Sequence, residues 1–461
     1  MEASFDTIAA ISTPIGIGGL GVIRVSGKDA VLVADRIFCA ANKQTLADAM
    51  THTVHYGHIC TVREKKILDE VLVTVMRAPR TFTAEDVVEI STHGSPLLMR
   101  RVLEELLEAG ARLAQPGEFT RRAFVNGRID LTQAEAVMDI IQADSDAAIS
   151  SAISHLEGGL HEKIEQIRRP LIYLSAQFAA AVDYPDDDIA DLSEEGLREA
   201  LTQAVAQCES LLATKEEGII AKEGILCAIV GRPNVGKSSL LNALTGTERA
   251  IVTEIAGTTR DVIEQPIILD QVALRLVDTA GIRQTEDMVE QLGVERSRQY
   301  IESAQLLLLL LDASMPLTEE DRELLAYTEK KKRIIIWNKS DLVKGSDGIQ
   351  HIILPGGDVT LSVSTKTKEG LQQLRQAIIA VCGVEKLSAE SIMLSNLRHI
   401  KAVESAVVSL KEAISTLDAG MPVDMCFIDL SAAIQQLGQI TGESVSADIV
   451  DEIFANFCVG K

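Results

Sequence analysis

Aromatic side chains are nearly missing from this chain: they make up 3% of its 461 residues, with a single tryptophan. Cores must therefore be filled by Leu, Ile, Val and Ala, which favours helices and parallel strands. Positive charge is short as well, 44 Lys and Arg against 67 Asp and Glu, for a net charge of −23. That balance argues against a broad nucleic-acid surface of the chain's own, because neutralising phosphates takes clustered cations. It leaves room for a local basic patch or a cationic partner protein. Long apolar runs are also missing. The longest, Leu306–Leu311, is closed by Asp312, far short of the roughly 20 residues that span a bilayer. Glu2 and Asp6 stand near the start without a basic leader, which argues against a signal peptide. None of the seven cysteines (39, 60, 208, 227, 382, 426 and 458) falls in a CxxC pair. They read as reduced thiols of a cytoplasmic protein, most of them buried as small hydrophobes.

What is present is ordinary for a globular protein: 46% hydrophobic and 24% charged residues, in a length that predicts roughly three domains. Residues 1–120 alternate short apolar runs with turns, an α+β pattern. Strands are expected at Leu20–Val25, Ile67–Met76 and Val87–Ile90, and a helix at Pro96–Ala109. From Gln133 the apolar positions 149, 153, 156, 160, 164, 167, 171, 174 and 178 advance by threes and fours, tracing one face of long helices. Gly158, Gly159 and Pro170 lie within that stripe and mark expected breaks or kinks. The acidic stretch Asp183–Asp188 reads as a solvated turn between helices rather than a metal site.

From about Ile225 buried strands alternate with helices: Leu226–Val230, Ala273–Val277, Leu306–Leu311, Ile334–Trp337 and Val359–Val363. Such continuous apolar runs fit a mostly parallel sheet covered on both faces. Beyond Gly383 helical periodicity returns. The expected architecture is a helical domain interrupted by an inserted α/β domain. Its parts are an N-terminal domain at 1–120, helical segments at 121–217 and 384–461, and the insertion at 218–383.

The insertion carries the chemistry. Strand Leu226–Val230 runs into Gly231-Arg-Pro-Asn-Val-Gly-Lys-Ser238 and then a helix, a G-x-x-x-x-G-K-S phosphate loop in its strand–loop–helix context. Asn234, Val235, Gly236, Lys237, Ser238 and Ser239 are the expected contacts. Backbone N–H groups and the helix start face the phosphates, Lys237 reaches the β/γ-phosphates, and Ser238 ligates Mg²⁺. Asp278-Thr-Ala-Gly281 follows a strand end, as a magnesium-side carboxylate and a γ-phosphate-sensing glycine should. Asn338-Lys-Ser-Asp341 follows the next-but-one strand. A carboxylate there accepts two N–H bonds from guanine that adenine does not offer, so GTP is favoured, and Ser364, Thr365 and Lys366 back the base. Between these motifs lies Thr253-Glu-Ile-Ala-Gly-Thr-Thr259. It is a switch loop that would offer Thr259 to Mg²⁺ in the GTP state. Ile282 follows Gly281 where Ras-like hydrolases carry a water-orienting Gln. An isoleucine does not orient water, which leaves Arg283, Glu286, Asp287 and Glu290 as candidates.

Together these residues resemble the MnmE (TrmE) family of tRNA modification GTPases, and the likeness runs the full length. It includes Thr13-Pro-Ile-Gly-Ile-Gly-Gly-Leu-Gly-Val-Ile-Arg24-Val-Ser-Gly27, Glu85-Asp86, His93-Gly94, the segment Pro116-Gly-Glu-Phe-Thr-Arg-Arg-Ala-Phe-Val-Asn-Gly-Arg128 through Glu135, and the ending Phe457-Cys-Val-Gly-Lys461. The resemblance implies an N-terminal domain that binds a 5-formyl-tetrahydrofolate or related folate and drives homodimerisation. Arg24, Glu85, Arg128 and Lys461 would contact the folate, and the family usually has Lys where Arg128 stands. It implies G domains activated by K⁺-dependent dimerisation, with Asn234, Thr253, Ile255 and Thr258 holding K⁺ and Glu290 as the catalytic residue. It also implies a flavin- and NADH-dependent partner resembling MnmG (GidA). Together the two would add an aminomethyl or carboxymethylaminomethyl group to C5 of the wobble uridine of certain tRNAs, the tRNA being held largely by the partner. Cys458 invites a nucleophile reading, but a structural or folate-pocket role is favoured. Two alternatives differ in class. A ribosome-associated assembly switch predicts a basic C-terminal RNA module, which residues beyond Gly383 do not supply. A folate-dependent transferase with a vestigial G domain predicts damaged motifs, yet Lys237, Ser238, Asp278, Asn338 and Asp341 are all present.

Overall fold

The computed structural model describes residues 6–41, 44–183, 193–245, 265–269, 272–278, 300–343, 358–383 and 392–460. In chain order the elements are β1 (Ile8–Ile11), β2 (Leu20–Ser26), α1 (Ala30–Ile37), β3 (Phe38–Ala40), β4 (Thr53–Cys60), β5 (Ile67–Met76), β6 (Val87–His93), α2 (Pro96–Glu108), β7 (Arg112–Leu113) and α3 (Glu118–Val125). Helices α4 (Leu131–Gln142), α5 (Asp146–Leu156), α6 (Gly159–Asp183), α7 (Glu194–Leu212) and α8 (Lys215–Glu223) follow. Then come β8 (Ile225–Val230), α9 (Lys237–Thr245), β9 (Gln265–Leu269), β10 (Val272–Asp278), β11 (Leu306–Asp312), α10 (Glu319–Tyr327), β12 (Arg333–Asn338), β13 (Val359–Ser362) and α11 (Leu371–Cys382). The chain ends with α12 (Leu397–Asp418), α13 (Val423–Thr441) and α14 (Ala447–Ala455). Two compact units emerge. One is built from residues 1–138, 155–202 and 408–461, the other from 139–154 and 203–407.

The first unit holds a seven-stranded sheet in the order β3-β4-β5-β6-β2-β1-β7. Strand alternation sorts its side chains. Ile23 and Val25 of β2, with Val88 and Ile90 of β6, face a core closed by α1 and α2 through Val31, Ile37, Met99 and Leu106. On the opposite face Ile8 and Ala10 of β1 join Ala114 and Phe119, with Phe82 against them. Arg24 and Glu89 also point to this second face and are direct partners across β2 and β6. In the helical part Leu160, Ile164, Ile167 and Leu171 of α6 are buried as the stripe requires, and Phe178 stacks on Phe427 of α13 with ring centroids 3.8 Å apart. The helices break at Gly158 (φ +91°), between the end of α5 at Leu156 and the start of α6 at Gly159, and Pro170 lies inside α6, which continues past it. One expectation needs correction. Ile149 and Ile153 are exposed, whereas α5 buries Ala148 and Ala152.

The second unit is built on a six-stranded sheet ordered β13-β12-β11-β8-β10-β9, parallel except for β9 at the edge. Strand β11 shows why its sequence is uninterruptedly apolar. Leu306, Leu308 and Leu310 enter one core with Ile229, Leu276 and Ile336, while Leu307, Leu309 and Leu311 enter the other with Ile301, Ile335 and Trp337. The architecture is therefore multidomain, an α+β N-terminal fold, helical segments and a mostly parallel α/β sheet, as the sequence predicts.

Candidate functional site

In the second unit every phosphate- and base-motif residue that is described sits at the carboxyl end of a parallel strand, where open α/β sheets collect their ligands. The phosphate loop leaves β8, Asp278 closes β10, Asp312 closes β11 and Asn338 closes β12. Asp278 lies opposite Ile229, two residues before Gly231, so its backbone runs beside the loop's first turn. Loop geometry follows from local chemistry. Gly236 holds φ +103°, and a Cβ there would strike the Asn338 side chain, so no other residue fits this turn. Asn234 also adopts the left-handed region at φ 64°, which asparagine tolerates better than most residues. Helix α9 begins at Lys237, aiming its N-terminal amides at the loop. The buried Lys237 ammonium donates to the carbonyls of Gly231 (2.7 Å) and Arg232 (2.8 Å).

Asn338 is the clamp between the two motifs. Its Nδ2 donates to the Val235 carbonyl (2.8 Å), and its Oδ1 accepts from the Thr365 amide (3.2 Å). Asp341, the expected guanine acceptor, takes a hydrogen bond from Ser364 Oγ (2.7 Å), and Ser340 N donates to Val363 O. The structure thus brings together Val235, Gly236, Asn338, Asp341, Ser364 and Thr365. Ser238 and Ser239 follow on the first turn of α9, and Lys366 stands one residue beyond Thr365 in the same loop. Thr253, Glu254, Ile255, Ala256, Gly257, Thr258, Thr259, Thr279, Ala280, Gly281, Glu290 and Lys461 lie outside the described residues.

Two features of this site were missed by sequence reasoning. The buried Asp312 accepts from Lys339 Nζ (2.7 Å) and from the Ser314 amide and hydroxyl. Burial opposes its charge, but these donors outweigh burial and hold its pKa below the ordinary carboxylate value. The only sequence signal was a carboxylate closing a wholly apolar strand. Arg232 in the phosphate loop lies 3.5 Å from Asp321, which is buried in the capping box at the start of α10.

In the first unit two of the expected folate residues, Arg24 and Arg128, stand at an aromatic platform. The Arg24 guanidinium lies 5.5 Å from the Phe82 ring centre and 5.7 Å from that of Phe119, and Arg128 lies 5.3 Å from Phe82. Arg24 also pairs with Glu89 (2.7 Å). Glu85 accepts from Ser26 Oγ (2.8 Å) and from Arg122 Nη1 (3.1 Å). Arg122 is buried and additionally holds Glu118 and Asp6, while Arg112 completes the cluster on Asp6 and Glu118. Burial opposes the Arg122 charge, yet the surrounding carboxylates raise its pKa above the ordinary value. Phe82 and Glu89 carry no motif signal, because a loop and a β-sheet pairing bring them to the site, and Arg122, on α3 inside the segment 116–128, was not singled out. The C-terminal tail folds onto this unit. Phe457 is buried, Gly117 N donates to the Cys458 carbonyl (3.3 Å), and Ser12 Oγ donates to the Gly460 carbonyl (3.1 Å). Cys458 itself is exposed.

The family model "GTP-binding protein TrmE N-terminus" matches residues 7–128, and "MnmE helical domain" matches 131–458. The tRNA modification GTPase MnmE of Geobacillus thermodenitrificans is 48% identical over 459 residues, 99% of each chain. That of Ligilactobacillus salivarius is 48% identical over 466 residues, 100% of this chain and 99% of its own. Among solved structures, the G domain of the T. maritima FeoB iron transporter is 28% identical, covers 34% of this chain and 96% of its own, and superposes at a TM-score of 0.26. Matched end to end by family models and by relatives of nearly half identity, the chain belongs to the MnmE family of tRNA modification GTPases.

Proposed function

We propose that this chain is a K⁺-stimulated GTP hydrolase whose nucleotide cycle serves the modification of the wobble uridine of certain tRNAs. The observation that carries the nucleotide half is the Asn338 clamp, which ties the phosphate loop to the base loop at Val235 and Thr365. The site suits a guanine nucleotide. Gly236 leaves no room for a side chain in the phosphate cradle, Lys237 is a buried cation beside it, and Asp341 is positioned by Ser364. Ser238 and Thr259 would hold Mg²⁺, and Asn234, Thr253, Ile255 and Thr258 would hold K⁺. Cations so placed supply the charge stabilisation that an arginine finger gives elsewhere. Glu290 would orient the attacking water in place of the glutamine that Ile282 replaces.

For the first unit the proposed ligand is a 5-formyl-tetrahydrofolate or related folate. Arg24, Arg128 and Lys461 would pair with its carboxylates and Glu85 with its pterin N–H edge, cations with anions and acceptor with donors. The proposed domains are 1–120, 121–217 with 384–461, and 218–383. Homodimerisation through the N-terminal domain is supported by Val54, Tyr56 and Leu72, exposed on neighbouring strands of its sheet. The partner is a flavin- and NADH-dependent protein of the MnmG type that holds most of the tRNA, a division that fits the net charge of −23. A cytoplasmic location follows from that role, and no described helix is long and apolar enough to cross a membrane.

The test is GTP hydrolysis by wild type and Glu290→Ala in K⁺ and in Na⁺. Faster turnover in K⁺, abolished by the substitution, is expected. Equal rates in both salts would remove the K⁺ mechanism, and a fully active variant would remove Glu290. Wobble-uridine analysis of tRNA from cells lacking the gene tests the pathway, and unmodified uridine is the expected result.

A further inference from the structure

Strand β3 is the edge of the N-terminal sheet, and its Cys39 stands directly opposite His58 of β4. Cys60, two residues further along β4, points to the same side, as strand periodicity demands. Beside it the pairing of β4 with β5 shifts register between Ile59 and Cys60, an irregularity of the kind that bends a strand locally. The outcome is a thiol pair with Sγ atoms 2.8 Å apart. A disulfide has its sulfurs at about 2.0 Å, so closing the gap needs less than about 1 Å of movement. The two thiols differ in access. Cys39 is exposed and Cys60 is buried. None of the nucleotide or folate contacts described above involves either residue.

We propose that Cys39 and Cys60 form a reversible dithiol–disulfide site whose oxidant is a low-molecular-weight disulfide such as oxidised glutathione. The exposed Cys39 thiolate attacks one sulfur of the oxidant, forming a mixed disulfide and releasing one small thiol. Cys60 loses its proton and attacks the Cys39 sulfur, and the second small thiol leaves. Two protein thiols are oxidised to one disulfide while one small disulfide is reduced to two thiols. The order is set by access: the oxidant reaches Cys39, and Cys60 resolves. Burial pushes the Cys60 thiol up to about 11, with the neighbouring Cys39 adding to the rise, so resolution is the slow step and accelerates with pH. The disulfide ties the edge strand β3 to β4 and with it Phe38, which packs into the sheet's core.

The experiment treats the full-length protein with oxidised glutathione at rising pH, traps the products with an alkylating agent and maps peptides by mass spectrometry. A Cys39–Cys60 crosslinked peptide is expected, with two of the seven thiols lost, reversed by dithiothreitol and formed faster at higher pH. Cys60→Ser should stop at a glutathione adduct on Cys39, and Cys39→Ser should lose no thiol at this site. A stable Cys39 adduct in the wild type, crosslinking to another cysteine, or retention of both thiols would each overturn the proposal. Because the mapping is done on wild-type protein, a variant that folds poorly does not affect the decision.

Discussion

Replacing Asn338 by alanine removes both arms of the clamp at once. The Val235 carbonyl loses its 2.8 Å donor inside a side chain and backbone that are 1% exposed, so water does not take its place. The Thr365 amide loses its acceptor at a half-buried position where water partly compensates. A buried group left without its partner costs about 1–3 kcal/mol, and the wetter group less, giving about 2–4 kcal/mol in all. Where the loosened loops must be re-ordered by the nucleotide, that cost appears as a GDP affinity weakened roughly 30- to 1000-fold. Asn338→Asp keeps the acceptor for Thr365 but sets a carboxylate oxygen against the Val235 carbonyl, and should weaken binding at least as much as alanine does. The assay is equilibrium titration with a fluorescent GDP analogue, alongside thermal melting of the free protein. An Asn338→Ala variant within about threefold of wild-type affinity, with unchanged melting, would refute the clamp.

Asp312→Asn should weaken guanine-nucleotide binding roughly tenfold, because Lys339 loses a charge-assisted partner; titration of wild type and variant with GDP measures it, and unchanged affinity would show that Lys339 orders itself. The Glu118 cluster gives a pH prediction. Burial alone would raise the Glu118 pKa, but Arg112, the Gln115 amide and Arg122 together hold it below its ordinary value of 4.5. A carboxylate depressed on folding contributes stability above its unfolded pKa and loses it as pH falls through the folded one. Stability of the N-terminal unit should therefore hold from neutral pH to about 5 and fall below the ordinary carboxylate range. Glu118→Gln should flatten that fall and lower stability at pH 7 by about 2 kcal/mol, read by urea unfolding.

How much of this was legible in the sequence depends on the distance over which each signal acts. The phosphate loop is a run of consecutive residues, so its strand, turn and helix were readable together, Gly236 included. Strand β11 was readable because burial on both faces leaves an uninterrupted apolar word. Pairings across the sheet were not. Glu89 meets Arg24 only because β6 pairs with β2 in that register, and Arg122 reaches Glu85 across 37 residues of chain. Asp312 meets Lys339 because β11 and β12 are parallel neighbours whose ends coincide, Asp312 opposite Asn338. The apolar stripe misled at Ile149 and Ile153, because a helix with apolar residues on several faces buries whichever its neighbours cover, here Ala148 and Ala152.

The charge inventory of the N-terminal site leads to a ranking that motif matching does not give. Arg24 is committed to Glu89 and Arg122 to Glu85, Glu118 and Asp6. Arg128 is exposed, rests on Phe82, and makes no ion pair among the described residues. A ligand carboxylate approaching Arg24 must compete with Glu89, whereas one approaching Arg128 displaces only water. Arg128 should therefore contribute most to holding the glutamate tail of a folate. Arg128→Ala is expected to weaken 5-formyl-tetrahydrofolate binding tenfold or more, roughly the worth of one charge-assisted pair, with melting unchanged. Arg24→Ala should cost less affinity and more stability, since it strands Glu89 beside an apolar platform. Arg128→Lys should restore part of the loss, keeping the charge without the planar contact on Phe82. A pterin lacking the glutamate tail should bind wild type and Arg128→Ala alike. If that truncated ligand is weakened equally by the substitution, Arg128 is holding the ring through Phe82 and not the tail, and the ranking fails.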